Sequence, residues 1–155
     1  MLRQINDTLV RMRLRRLTKE NLLYFYYPMK GASCYVLFAG HVMHPAILSS
    51  FPLVPRSVPV SNLALVHANL GIGLYLFGSR HLRHQHICKK VTFSVFGSLL
   101  FNMGSVLLFA ILRQATPECA TFRAMIGMTS AAGLLYIGKT YVDHLDRQAV
   151  LHDAE

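Results

Sequence analysis

Histidines are the residues of this chain whose type and spacing best suit chemistry. His41 and His44 lie three positions apart in one uncharged apolar stretch, His67 lies alone in a second, and His81 and His84 lie among basic residues. A neutral imidazole can ligate haem iron or another metal, whereas a protonated one can relay a proton or bind a quinone carbonyl. The three histidines in apolar stretches are therefore candidate haem or metal ligands, and an interhelical hydrogen bond is the alternative role of each.

The spacing of His41 and His44 predicts that they share one face of a helix. Motifs of soluble enzymes are absent from the sequence: it has no glycine-rich phosphate loop, no Ser/His/Asp or Cys/His constellation, and no carboxylate pair within an apolar stretch. The three cysteines are widely spaced and form no C-x-x-C pair, which indicates neither a disulfide framework nor a zinc module.

Few charges and much apolar sequence place the chain among membrane proteins. Of its 155 residues, 53% are hydrophobic and only 15% are charged, and the mean hydropathy is +0.36. A soluble domain carries about a quarter charged residues. The formal net charge of +9 would suit nucleic acid, but the Lys and Arg residues gather near the N-terminus and beside apolar stretches. Nucleic acid is therefore not an expected partner.

The hydrophobic pattern predicts an all-α, polytopic transmembrane helix bundle of three to four spans, in residues 31–138. The spans are expected at about residues 31–53, 61–79, 91–112 and 120–138. A helix needs roughly 20 apolar residues to cross the hydrocarbon core, and the second and third stretches meet that length without a charge. Pro45 predicts that the first helix kinks or ends early. The small residues Gly127 and Ala131 predict a close helix contact in the fourth span.

The segments before and after the predicted membrane domain indicate which side of the membrane each end faces. Residues 1–30 predict a basic amphipathic N-terminal arm, rich in arginine and poor in acidic residues like a mitochondrial transit segment or a membrane-surface helix. Residues 139–155 predict a polar C-terminal tail. With four spans, both termini lie on the same side as the basic cluster of residues 80–90, and the positive-inside rule makes that side the matrix of the mitochondrial inner membrane.

The basic cluster is a candidate contact surface. Arg80, His81, Arg83 and His84 are expected to contact lipid phosphates, including those of cardiolipin, or an acidic partner protein. A solvated flank with no partner is the alternative interpretation.

Two fragments resemble the cytochrome b large anchor subunit of succinate dehydrogenase, the SdhC family. That family enters its first span through a motif like R-P-L-S-P-H-L-x-I-Y and ends its second with H-x-x-x-G-x-R-H-L-x-x-D. Residues 15–24 have the spacing of the first motif, with Arg15, Leu17 and Tyr24 matching, and residues 78–82, GSRHL, match the G-x-R-H-L part of the second.

The resemblance implies a membrane-anchor subunit of respiratory complex II, which helps to form the ubiquinone site of a succinate:quinone oxidoreductase and is not catalytic alone. An iron–sulfur subunit and a second membrane anchor would be its partners. Ser33 would donate a hydrogen bond near the ubiquinone headgroup, and Arg80 and His81 would lie beneath the iron–sulfur subunit. The family's haem b ligand falls on Leu74, and its closing aspartate falls on Gln85.

Two further functions are alternatives. A short polytopic chain with a basic arm and no complete motif also fits an accessory structural subunit or assembly factor of complex III, complex IV or the ATP synthase. Paired histidines within an apolar stretch also fit a small carrier or channel. The absence of acidic residues from the predicted spans, and of any inverted repeat, argues against transport.

Overall fold

The computed structural model of the protein describes residues 18–45 and 60–152, in which all regular structure is helical. The four main helices are α1 (Tyr27–Met43), α2 (Val60–Phe77), α3 (Ile87–Ala115) and α4 (Ala120–His152). A helical turn at Lys19–Asn21 and a π-helical stretch at Leu22–Tyr26 lead directly into α1. Residues 1–17 of the predicted arm, residues 46–59 and residues 153–155 lie outside the described residues.

Two of these helices, α3 and α4, are long and apolar enough to cross a membrane. The 29 residues of α3 extend about 43 Å and the 33 residues of α4 about 50 Å, more than the roughly 30 Å of a hydrocarbon core. α2 is a shorter apolar helix. These helices contain the predicted third and fourth spans, and α2 coincides with the predicted second span to within two residues, which is compatible with a membrane-embedded protein.

The α3 helix buries its polar residues and exposes its apolar ones. Its inward face carries Ser94, Ser98, Asn102 and Ser105, at most 4% exposed. The residues of its outward face are between 50% and 65% exposed: Phe93, Val95, Phe96, Leu99, Leu100, Met103, Leu107 and Ile111. A helix on the surface of a water-soluble protein has the opposite distribution. The outer face of α3 is therefore suited to an apolar environment.

Hydrogen bonds from the polar face of α3 attach it to α2. The Ser98 hydroxyl donates to the main-chain oxygen of Asn69 at 2.6 Å, and the Asn102 side-chain amide donates to the Asn69 side-chain oxygen at 3.0 Å. Such bonds between helices are a principal source of association where no water surrounds them.

Glycines let α1 contact its neighbours closely on two sides. A Cβ atom on Gly31 would lie 2.7 Å from the Cα atom of Gly71, so α1 and α2 cross with almost no space between their backbones. A Cβ atom on Gly127 of α4 would lie 2.5 Å from the Cγ atom of Met43. The predicted close contact at Gly127 is confirmed, and Ala131, one turn further, is fully buried.

The boundaries of α1 and α4 differ from the predictions. α1 ends at Met43, and His44 has an extended backbone with φ −143° and ψ 98°, because the ring of a following proline disfavours the helical conformation. The early end that Pro45 predicts is confirmed, but the shared helix face of His41 and His44 is wrong, since His44 lies beyond the helix. α4 continues through residues 139–152, most of the segment predicted as a tail.

The glycine contact between α1 and α2 can be tested by adding one methyl group. We expect Gly31→Ala to lower the free energy of unfolding by about 1–3 kcal/mol, because the new atom meets backbone atoms that have little room to move. Gly133→Ala is the matched control, since a Cβ atom there has nothing within 4 Å and should stabilise the helix by up to about 1 kcal/mol. Chemical unfolding in mild detergent measures both. Equal midpoints for the two variants would contradict the close crossing.

Candidate functional site

A cavity of about 920 Å³ lies between α3 and α4 and is floored by α1 and α2. Its volume falls in the range of roughly 300–1,000 Å³ that is typical of pockets for small molecules. Its walls are largely apolar and come from all four helices: Pro28, Met29, Ala32, Gly71, Ile72, Leu76, Phe93, Gly97, Leu100, Phe101, Leu135, Gly138, Val142 and Leu145. The two helices that flank the cavity make few contacts with each other, so the space between them is accessible from the side.

Polar side chains gather at one end of this cavity. Tyr75 belongs to the last turn of α2, His81 to the turn that follows it, and Lys139 to α4 just beyond its uncharged stretch. The described residues that line the opposite part of the cavity are uncharged. A ligand with a polar head and an apolar body therefore matches the lining.

Asp146 of α4 binds the turn that carries His81. Its carboxylate accepts hydrogen bonds from the backbone N–H of His81 at 2.9 Å and from the His81 ring nitrogen Nδ1 at 2.7 Å. The neighbouring backbone N–H of Arg80 also favours the ionised form of this carboxylate. Consecutive backbone N–H groups of this kind form an anion-binding concavity. The turn after α2 is thereby attached to the part of α4 that extends beyond its apolar stretch.

The protonation of this pair follows from its hydrogen bonds. Burial alone would raise the pKa of Asp146, but the hydrogen bonds from His81 and Arg80 outweigh it and hold the pKa below its usual value. An ionised carboxylate can only accept hydrogen bonds, so Nδ1 of His81 carries the proton that lies between them.

A second carboxylate lies one turn earlier on α4. Asp143 accepts a hydrogen bond from the Lys139 ammonium at 2.8 Å, and the Tyr75 hydroxyl lies 3.5 Å from its other oxygen. The second distance is at the limit for a hydrogen bond, so the contact is weak. Two carboxylates of α4 thus face two lining residues of the cavity, Tyr75 and His81.

Aromatic rings complete the polar end. Tyr24 of the π-helical stretch lines the cavity and stacks on Phe77 with ring centroids 6.3 Å apart. The Lys90 ammonium lies 4.4 Å from the centre of the Phe77 ring, within cation–π distance. π-Helical turns occur frequently at functional sites, and here one forms the wall beside α2.

The histidines predicted as metal ligands do not come together. His67 bonds through Nδ1 to the Leu63 carbonyl oxygen at 2.8 Å, and its ring stacks against Tyr27. His41 has a buried Nδ1 atom with no hydrogen-bond partner among the described residues, and His44 lies beyond α1. No group of three side chains that could hold a metal ion occurs in the described ranges 18–45 and 60–152.

Leu74 does not fit the role of a ligand to a b-type haem. Leu74, at the position where the resembling family has its ligand, offers no side-chain donor, and its carbonyl oxygen accepts the backbone N–H of Gly78 at the end of α2. Haem iron needs an axial side chain such as histidine, methionine or cysteine. No chemistry through haem is therefore assigned to this chain.

The structure separates Ser33 from the cavity. Ser33 is exposed, and its hydroxyl donates to the Met29 carbonyl oxygen of its own helix at 3.1 Å. Arg80, Arg83 and His84 are exposed on the turn after α2, and their contact with lipid or a partner protein stays a prediction. His81, in contrast, is only 21% exposed in its side chain.

The sequence reasoning missed Tyr75, Lys139, Asp143 and Asp146. One signal was available: Asp143 and Asp146 are three positions apart, so they share a helix face if the tail is helical. The predicted topology also places them on the same side as the basic cluster. An acidic helix face and a basic loop on the same side of a membrane can form ion pairs and hydrogen bonds with each other.

Comparisons with protein-family models, with curated proteins and with solved structures find no match for this chain. Function is therefore inferred from the chemistry of the cavity and its polar end, together with the two sequence fragments described above.

The contact between Asp146 and the turn should contribute measurably to stability. We expect Asp146→Ala to lower the free energy of unfolding by about 2 kcal/mol, a typical value for hydrogen bonds to a charged group. Asp143→Ala is the matched control, because an exposed ion pair four residues apart contributes only about 0.3–0.5 kcal/mol. Hydrogen exchange of residues 79–85 should accelerate in the first variant and not in the second.

The same contact predicts a direction of pH dependence. A carboxylate whose pKa is lowered by folding stabilises the folded state at every pH above its unfolded pKa, about 3.9. That contribution is lost as the pH falls through the lower, folded pKa. The part of the stability difference between the wild type and Asp146→Ala that the ionised carboxylate supplies should therefore shrink as the pH falls below about 4. A difference that grows with acidity would contradict the assignment.

Proposed function

We propose that this chain is a multi-pass membrane subunit of a mitochondrial respiratory complex, and that its cavity forms part of a ubiquinone site. The specific assignment is the membrane anchor of succinate dehydrogenase, complex II. The observation that carries the proposal is the amphipathic cavity, whose apolar walls end at Tyr75, His81 and Lys139.

Membrane embedding is supported by the polarity of α3. Eight large apolar side chains on its outer face are at least half exposed, while its serines and Asn102 are buried. A contiguous exposed apolar surface of this kind marks a membrane or protein contact. The basic cluster of residues 80–90 supports an orientation in which that loop and both termini face the matrix.

Ubiquinone has the chemistry that the cavity would recognise. Its carbonyl oxygens accept hydrogen bonds, which the Tyr75 hydroxyl and the Lys139 ammonium can donate, and its isoprenoid tail matches the apolar walls. Reduction of a quinone consumes two electrons and two protons. The electrons would come from partner subunits, and the pairs His81–Asp146 and Tyr75–Asp143 would be the groups nearest the headgroup through which the protons pass.

The two fragments that carry the family resemblance support the same site. Tyr24 of the first fragment and His81 of the second both line the cavity, although they are far apart in the sequence. In the family motif an aspartate follows the histidine by four residues. Here Gln85 has that position, and Asp146 from α4 supplies a carboxylate to His81 instead.

Purification of partners tests the assignment to a complex. A chain tagged at its C-terminus and extracted in mild detergent should copurify with a flavoprotein and an iron–sulfur subunit, identified by mass spectrometry. Recovery with subunits of complex III, complex IV or the ATP synthase would instead make it an accessory subunit or assembly factor. A reduced-minus-oxidised spectrum of the same sample reports whether the assembly contains a b-type haem, with ligands from other subunits.

Filling the cavity tests the ligand site. Gly97 lines the cavity on α3, so Gly97→Leu should weaken binding of decylubiquinone to the purified protein by at least about tenfold, or about 1.4 kcal/mol. Gly104→Leu is the matched control on the same helix, because a Cβ atom there meets nothing within 4 Å. Calorimetric titration measures both affinities. Equal affinities in the two variants would place the quinone elsewhere.

A further inference from the structure

A second cavity lies at the opposite end of the bundle, where α1 and α3 end and α4 begins. Its volume is about 410 Å³, and its lining residues are Val42, Ala110, Arg113, Gln114 and Arg123. Two arginines from different helices therefore line one space. That end of the bundle contains no titratable residue of the ubiquinone site proposed above.

Hydrogen bonds to main-chain oxygens hold both arginines in place. Arg113 donates to the Val42 carbonyl oxygen at 3.3 Å, and Arg123 donates through Nε and Nη2 to the Thr116 carbonyl oxygen at 3.3 and 2.9 Å. These contacts satisfy carbonyl groups at helix ends. Each guanidinium has five N–H donors, so donors remain for a further acceptor.

Among residues 18–45 and 60–152, no carboxylate neutralises the charge of either arginine. Within the described residues, neither forms an ion pair closer than 4.0 Å. Glu118, in the link between α3 and α4, is exposed, and residues 44–59, which connect α1 to α2, contain no Asp or Glu. The positive-inside rule predicts few Lys and Arg residues on this side of a membrane. The rule therefore does not explain why two arginines line the same cavity here.

We propose that Arg113 and Arg123 bind the phosphate of an anionic phospholipid in the leaflet opposite the His81 turn. The guanidinium fork matches phosphate oxygens in a bidentate geometry. The apolar stretches of α3 and α4 end at these two residues, so their charged groups lie at headgroup depth. Val42 and Ala110 supply apolar contact for the beginning of an acyl chain. The proposal rests on membrane embedding and is independent of ubiquinone and of the complex.

Lipid binding to the full chain tests the proposal. Delipidated protein in detergent is titrated with phosphatidylglycerol, with phosphatidylcholine and with inorganic phosphate, and bound lipid is counted by native mass spectrometry. We expect the wild type to prefer phosphatidylglycerol over phosphatidylcholine by about tenfold, as one or two charge-assisted hydrogen bonds would give. Arg113→Gln and Arg123→Gln should each abolish most of that preference. Arg147→Gln, an equal loss of charge on the exposed surface at the other end of α4, should retain it.

Further measurements distinguish a lipid phosphate from free phosphate and show whether a variant has lost binding because it has unfolded. If inorganic phosphate binds as well as phosphatidylglycerol and competes with it, the lipid assignment is overturned. The double variant Arg113→Lys/Arg123→Lys keeps both positive charges but lacks the planar guanidinium groups. A weaker preference for phosphatidylglycerol, at an unchanged unfolding midpoint, supports the site. An unchanged affinity for phosphatidylglycerol overturns it. If the chain does not float with liposomes, it is not embedded in a membrane and the proposal is overturned. Loss of decylubiquinone binding alone contradicts the ubiquinone site and does not bear on the lipid site.

Discussion

The close crossing of α1 and α2 at Gly31 and Gly71 is the contact on which the rest of the bundle depends. Inside a membrane the hydrophobic effect does not drive helices together, so association relies on close packing and hydrogen bonds. The two glycines let the backbones meet without an intervening side chain. Gly127 of α4 allows a similar close contact on another side of α1, where it lies against Ala39 and Met43. α1 therefore acts as the element against which the other helices are positioned.

The cavity follows from the way in which α3 and α4 are held. α3 is attached to α2 through Asn69, and α4 is attached to α1 through Gly127. The consecutive helices α3 and α4 therefore each pack mainly against a different helix. The link of residues 116–119 keeps them together at one end. The lining residues come from parts of α3 and α4 that are remote from this link. The space between them is thus a result of helix packing, and the pair His81–Asp146 joins the elements at its polar end.

Local features of the sequence predict four helices, but they give neither the full extent of α1 and α4 nor the site. The bounds of α2 follow from an uncharged run that ends in a basic cluster, and the end of α1 follows from Pro45. The π-helical stretch was not predicted, because nothing in a run of leucine, tyrosine and phenylalanine distinguishes it from an ordinary helix. His81 was identified as a surface residue. Its contact with Asp146, 65 positions away, depends on the helical continuation of α4 and on how α4 packs against α1.

The two ends of the bundle differ in the kind of charge that they carry. Near the cavity, the polar groups include carboxylates, an imidazole and a lysine. At the other end, Arg113 and Arg123 supply guanidinium groups, the cation that best matches phosphate. In the function proposed above, a quinone reduced at the first end would take its protons from the side on which the basic loop and the end of α4 are exposed. Fixed charges at the second end suit a permanent anion such as a lipid phosphate, and the same asymmetry supports one orientation in the membrane.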